Sequence, residues 1–211
     1  MPSNNIKRIV LTGGPCAGKT TALAAVVQHF SEKGYKVFTL PEVPTMVTLA
    51  GWNYMTTNHE FLLEGERLIL NLQLQLEDRF QKLADTCEEP CIIVCDRGTM
   101  DISAYLDPTL WQQITGEINV TDETLRQRYD AVVHLVTAAA DGTEEFYNTF
   151  TNAQRYENAD EEGRRIARML DDKVANAWQA HPHVIRIENE KDFDHKTQKV
   201  IEAIEEIIST E

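Results

Sequence analysis

Short apolar runs alternate with longer amphipathic stretches along the chain, and this alternation predicts an α/β protein built from strand–helix units. Lys7 to Thr12 reads as a short buried strand, and Thr20 to Phe30 as a helix with Leu23, Val26, Val27 and Phe30 on one side. Further strands are expected at Tyr35 to Leu40, Cys91 to Cys95, Tyr129 to Val136 and Val184 to Ile187. Pro41 and Pro44 argue against regular structure after the second strand, so Glu42 is expected in a loop at its C-terminal edge, with an irregular or short helical connection over 45–56. In open α/β sheets that edge is where ligands bind.

A long helix is expected from about Asn58 to Asp85, where Phe61, Leu62, Leu68, Ile69, Leu72, Leu76, Phe80 and Leu83 recur at helical spacing. Glu66, Arg67, Gln73 and Glu77 are read as its solvated side, although Arg67 or Gln73 could contact a phosphate acceptor. Thr99 to Leu106 predicts a short helix, with Asp107-Pro108 as its breaker, and another begins near Thr121. A helix carrying Arg164, Arg165 and Arg168 runs to about Ala180. A last amphipathic helix spans about Phe193 to Ile208 and docks through Val200, Ile204 and Ile207. His134, inside the fourth strand, is read as a packed residue rather than a catalyst.

The first helix is preceded by Gly13-Gly14-Pro15-Cys16-Ala17-Gly18-Lys19-Thr20, which fits G-x-x-x-x-G-K-[ST]. Strand, glycine loop, helix is the context this phosphate-binding motif requires. Gly13 and Gly18 let the backbone curl with its N–H groups inward, and the helix N-terminus adds its positive end. Lys19 is expected to reach β- and γ-phosphates, and Thr20, followed by Thr21, to supply a hydroxyl to Mg²⁺. The third strand ends in Asp96, a Walker B pattern whose carboxylate holds Mg²⁺ directly or through water, and Arg97 adjoins it. Asn189, in the loop after the fifth strand, is a candidate contact to the nucleotide base.

The chain has 211 residues, enough for one nucleotide-binding domain over 1–211, and no low-complexity tract. With 34 acidic against 20 basic residues its net charge is −14, which argues against general binding to nucleic acid or anionic membranes. An anionic nucleotide must then meet locally concentrated positive charge. No run approaches a membrane span, and Met1 to Asn5 lacks a signal peptide's apolar stretch, so a cytoplasmic protein is expected. Cys87, Cys91 and Cys95 are spaced by four; zinc is conceivable, but packed, reduced thiols in a strand are the favoured reading. Cys16, inside the phosphate loop, is a candidate for oxidation. Residues 138–160 are small, polar and charged and suggest a mobile segment. With Arg155 and the arginine-bearing helix behind it, a lid over about 138–165 is expected.

At Gly13–Thr20, Asp96-Arg97 and Asn152-Ala153-Gln154-Arg155-Tyr156-Glu157, the chain resembles a P-loop family. It is the AAA-like domain shared by the ribosylnicotinamide kinase part of bacterial NAD-biosynthesis regulators and the TRPL-translocation-defect proteins of insects. The tail Leu170-Asp171, Ala177-Trp178, His181-Pro182 and Ile187-Glu188-Asn189 is similar too. More loosely, Pro41-Glu42 and Asp96-Arg97-Gly98 resemble deoxynucleoside and thymidylate kinases, which implies that Glu42 accepts an acceptor hydroxyl's proton. The resemblance implies a three-layer P-loop NTPase fold, its five-stranded parallel sheet ordered 2-3-1-4-5, with ATP or GTP at the C-terminal edge.

Two functions compete, with a binding-only domain as a third. One is a small-molecule phosphotransferase in which Lys19, Asp96, Arg97, Arg155 and Glu42 carry catalysis and Thr20 and Asp96 hold Mg²⁺. The other is a nucleotide-binding switch or slow NTPase acting on a protein partner. Against a Ras-like switch, Asn189-Glu190-Lys191-Asp192 misplaces the lysine of a guanine motif, and Gly98 comes one position early for Asp-x-x-Gly.

Overall fold

The computed structural model describes residues 6–140, 161–190 and 192–210. Five strands form one parallel sheet: β1 (Lys7–Thr12), β2 (Lys36–Leu40), β3 (Cys91–Asp96), β4 (Ala131–Leu135) and β5 (Val184–Ile187), in the order β2-β3-β1-β4-β5. The implied order is the observed one. β1, β3 and β4 are buried nearly throughout, as central parallel strands covered on both faces must be.

Alternate residues of each strand enter two cores. Ile9 and Leu11 of β1, with Val94 and Val133, pack against α1 (Lys19–Glu32) and α8 (Phe193–Ser209) through Val26, Phe30, Val200 and Ile204. Val10, Ile93 and Val132 face the other way, onto α3 (His59–Ala84), α4 (Thr99–Tyr105) and α7 (Glu161–Trp178) through Leu70, Met100 and Trp178. The strand register aligns Leu11 with Asp96 and Thr12 with His134, so every segment that leaves a strand's C-terminal end emerges at one edge.

Three expectations need correction. The stretch after β2 is helical: Glu42 is the N-cap of α2 (Val43–Leu49), and Pro44 occupies its first turn, where no backbone N–H is needed. Asp107-Pro108 does end α4 after Tyr105, but it also starts a helix not anticipated, α5 (Pro108–Glu117), with the Asp107 side chain accepting from Thr109 N at 2.8 Å, before α6 (Asp122–Arg126). The third correction concerns α3. Leu68 and Phe61 are exposed, whereas Glu66, Gln73 and Glu77 are buried. Glu77 is matched by Arg8 and by Arg128, whose Nε donates at 2.7 Å, and the Tyr129 hydroxyl donates to it at 2.5 Å. These partners come from β1 and the approach to β4, so helical periodicity on α3 alone does not reveal them.

Candidate functional site

The phosphate loop is fixed by contacts on every side. Gly13 has φ +138°, and a Cβ there would lie 2.0 Å from the Leu135 carbonyl oxygen. Gly14 is required for a different reason: a Cβ would lie 2.8 Å from that of Asp171, because α7 approaches the loop closely. Gly18, at φ +87°, caps α1. Cys16 adopts φ 58° without being glycine. The Thr137 hydroxyl donates to Pro15 O, Gly14 N donates to Asp171 Oδ1 at 2.6 Å, and Lys196 Nζ donates to Ala17 O at 3.0 Å. Three elements outside the loop therefore hold its shape, which lowers the reorganisation a bound anion would demand.

Two cations stand at this loop, Lys19 partly buried and Lys196 buried. Lys19 Nζ donates to the carbonyls of Gly13 and Gly14 at 2.9 and 3.0 Å. Burial, reinforced by the nearby Arg97 charge, brings its pKa down to about 8. Lys196 also donates to Val136 O at 2.6 Å and Asn189 Oδ1 at 2.7 Å, and burial lowers its pKa to about 8. Asn189 Nδ2 in turn donates to Thr137 O at 2.7 Å, so Asn189 is tied to the exit of β4. Asp171 lies 3.2 Å from His134 Nε2; burial would raise its pKa, but His134 and the Gly14 N–H hold it below the usual carboxylate range.

Beyond Lys19 lies a charged cluster centred on Arg97, whose own φ is +70°. Arg97 Nε donates to Glu42 Oε1 at 2.6 Å and its Nη1 to Asp101 Oδ1 at 3.1 Å, while the Tyr105 ring centroid is 5.4 Å from the guanidinium carbon. Asp101 is the hub. It also accepts from the Thr12 hydroxyl, from Gly98 N at 3.0 Å and from Trp178 Nε1 at 2.9 Å. Glu42 is partly buried, yet Arg97 and Lys19 outweigh that burial and keep it ionised below the usual range. Asp96 behaves oppositely: burial raises its pKa against the pull of Lys19.

Asp96 Oδ1 is buried and has no hydrogen-bond partner among the described residues. A buried carboxylate oxygen without a donor, beside an ammonium and in the same cavity as the Thr20 hydroxyl, is chemistry that suits a hard divalent cation. Thr20 and Asp96 could hold Mg²⁺ there.

The cavity has a volume of about 1050 Å³. Pro15, Cys16, Ala17, Gly18, Lys19, Thr20 and Thr21 line one end together with Asn189. Glu42, Asp96 and Arg97 line the same cavity, as do the aromatic rings of Trp52, Tyr54 and Tyr105. Gly13 and Gly14 sit behind the lining and shape it. Arg155 and residues 141–160 of the expected lid lie outside the described residues. Of the other arginines, Arg165 pairs with Glu162, Arg164 with Glu161, and Arg168 with Glu161 and Ala139 O, all on or beside α7. Arg67 points to Glu117, at 2.6 Å, rather than into the cavity. Asp101 and Lys196 escape sequence reasoning, and Asp171 enters it only within the Leu170-Asp171 tail, with no role given. Only Asp101 carries a local signal, its reach back to Gly98 N at the start of α4.

A family described as AAA domain matches residues 8–196, nearly the whole described chain. This chain belongs to that AAA-domain family. No curated protein matches the sequence of this AAA domain. Among solved structures, it is similar to a shikimate kinase from Acinetobacter baumannii in complex with shikimate. That match has a TM-score of 0.57 and 15% identity, and covers 99% of this chain and 96% of the other. It is also similar to a deoxyadenosine kinase from M. mycoides with bound dATP, at TM-score 0.55 and 17% identity, covering 94% and 99%. At these identities the likeness establishes the fold alone, an α/β protein built on a five-stranded parallel sheet. Among the described residues no helix is long and apolar enough to cross a membrane.

Proposed function

We propose that this AAA domain is a Mg²⁺-dependent phosphotransferase that moves the γ-phosphoryl of a nucleoside triphosphate to the hydroxyl of a small, nucleoside-like molecule. One observation carries the reading: the cavity of about 1050 Å³ that holds the phosphate loop is also lined by Glu42 and by Trp52, Tyr54 and Tyr105, an aromatic lining that a triphosphate alone would not need. A switch or slow NTPase has no need of that space. The sequence resemblance to ribosylnicotinamide kinases, and the likeness in fold to two kinases of known structure, support this reading.

In this mechanism the loop N–H groups and Lys19 grip the β- and γ-phosphates. Thr20 and Asp96 would hold Mg²⁺, which when bound would supply charge neutralisation to the phosphates. Arg97, fixed by Glu42 and Asp101 on two sides, presents its remaining donor edge toward the transferring group. Glu42, ionised and half-facing the cavity, accepts a hydrogen bond from the acceptor hydroxyl and aims it. Its depressed pKa makes it a weak base, which suits a loose transition state needing alignment more than early deprotonation.

The test is ADP release from Mg–ATP with and without hydroxyl acceptors. Release should depend on an acceptor, and Glu42→Gln should lower kcat about 100-fold while leaving nucleotide affinity within a few-fold. ADP release that is equal with and without acceptors would favour the slow-NTPase reading instead.

A further inference from the structure

Three polar side chains of α3 are turned inward, and their surroundings differ. Glu77 is matched by two arginines and a tyrosine, and Gln73 Nε2 donates to Glu77 Oε1 at 2.8 Å and lies 3.5 Å from Arg97 O. Glu66 is only 8% exposed, yet among the described residues it has neither a hydrogen-bond nor an ion-pair partner. Its side chain lines the cavity with Leu62, Ile69 and Trp52 around it. Leaving a carboxyl in such surroundings is costly, and burial alone pushes its pKa up to about 7. A structural role would have supplied it with a donor, as it did for Glu77.

The neighbouring wall is flat and aromatic. A Cβ on Gly65 would lie 1.8 Å from Trp52 Nε1, so the indole rests directly on the backbone of α3 beside Glu66. That indole nitrogen donates to Phe61 O at 3.3 Å, and the Tyr54 ring centroid is 6.2 Å away. Glu66 and Gln73 are seven residues apart, two helical turns, which separates them by about 10 Å along α3. Gln73 adjoins Arg97, so Glu66 stands roughly a nucleoside's length from the phosphoryl-transfer end.

We propose that Glu66 is the specificity-determining residue for the acceptor, and that the acceptor is a hydroxyl-bearing molecule with a planar heterocycle whose amino group donates to this carboxyl. The proposal rests on the phosphotransferase reading and names its substrate class. The heterocycle lies along Trp52, the amine reaches Glu66, and the hydroxyl is delivered to Glu42. Above about pH 7, where the carboxyl is ionised and can only accept, a carbonyl in place of the amine would set acceptor against acceptor and be rejected.

Calorimetric titration of the Mg–ATP-analogue complex with adenosine against purine riboside, and with cytidine against uridine, tests this. Each pair differs at the amino group: purine riboside lacks it, and uridine carries a carbonyl there. The wild-type protein should bind the amino member of at least one pair about tenfold more tightly. Glu66→Leu should abolish that preference while raising Tm by a few degrees, since an unpaired buried carboxyl is replaced by an apolar group. Glu66→Gln, which keeps an acceptor oxygen, should retain part of the preference. Failure of every amino nucleoside to bind would overturn the proposal. So would a preference that survives in the leucine variant, or a Tm that falls in both variants. If Glu66-dependent binding occurs without ADP release, the phosphotransferase reading fails and the binding site stands. If instead an acceptor turns over with no dependence on Glu66, the phosphotransferase reading stands and the role given to Glu66 fails.

Discussion

Lys19→Ala is expected to cut the affinity for Mg–ATP at least 100-fold and to lower kcat/KM by about 1000-fold, while the circular dichroism spectrum stays native. The ammonium is partly buried at the mouth of α1 and bonded to two loop carbonyls, so a phosphate would meet it already partly desolvated and aimed. Charge-assisted hydrogen bonds in a partly dry site are worth more than their counterparts in water. A pH signature accompanies this. With a pKa of about 8, the ligand-free Lys19 is charged below that value and loses its proton above it. Nucleotide affinity should therefore be flat up to about pH 8 and fall as pH rises further. Above that point binding should take up a proton, visible as a buffer-dependent heat in calorimetry. Lys19→Ala should show neither effect. An affinity in the alanine variant equal to wild type would remove Lys19 from the site.

Asp101→Ala is expected to lower stability by about 3–5 kcal/mol, a fall of about 10 °C in Tm, and to depress turnover beyond that loss. Asp101 is 2% exposed and accepts from Thr12, Arg97, Gly98 and Trp178. Removing it strands a buried guanidinium and an indole N–H together. It also frees Arg97, a residue held at positive φ, from one of its two anchors. Asp101→Asn keeps an acceptor oxygen and should recover part of the stability but little of the activity. Thermal denaturation alongside ADP release separates the two effects. A Tm unchanged in the alanine variant would contradict the hub.

What can be read from the chain is whatever lies close together in it. The phosphate loop announces itself through eight consecutive residues between a strand and a helix, and Asp96 through the apolar run before it. The two prolines put Glu42 at the right edge for a partly wrong reason, since Pro44 opens a helix instead of preventing one. The inner face of α3 stays hidden because Glu66, Gln73 and Glu77 look solvated until Arg8, Arg128 and Tyr129 arrive from elsewhere. Asp171 and Lys196 are hidden likewise: each acts on the phosphate loop from more than 150 residues away, through Gly14 and Ala17 respectively. In so acidic a chain, one more lysine or aspartate on a helix carries no local mark.

If the loop, Lys19 and Asp96 act together on one triphosphate and its metal, a crystal structure with Mg²⁺ and a non-hydrolysable ATP analogue is the most direct test. The expected result is β- and γ-phosphates cradled by residues 13–20, with the metal joined to Thr20 Oγ1 and, directly or through one water, to the Asp96 carboxylate. A nucleotide bound elsewhere, or a metal remote from Asp96, would contradict it.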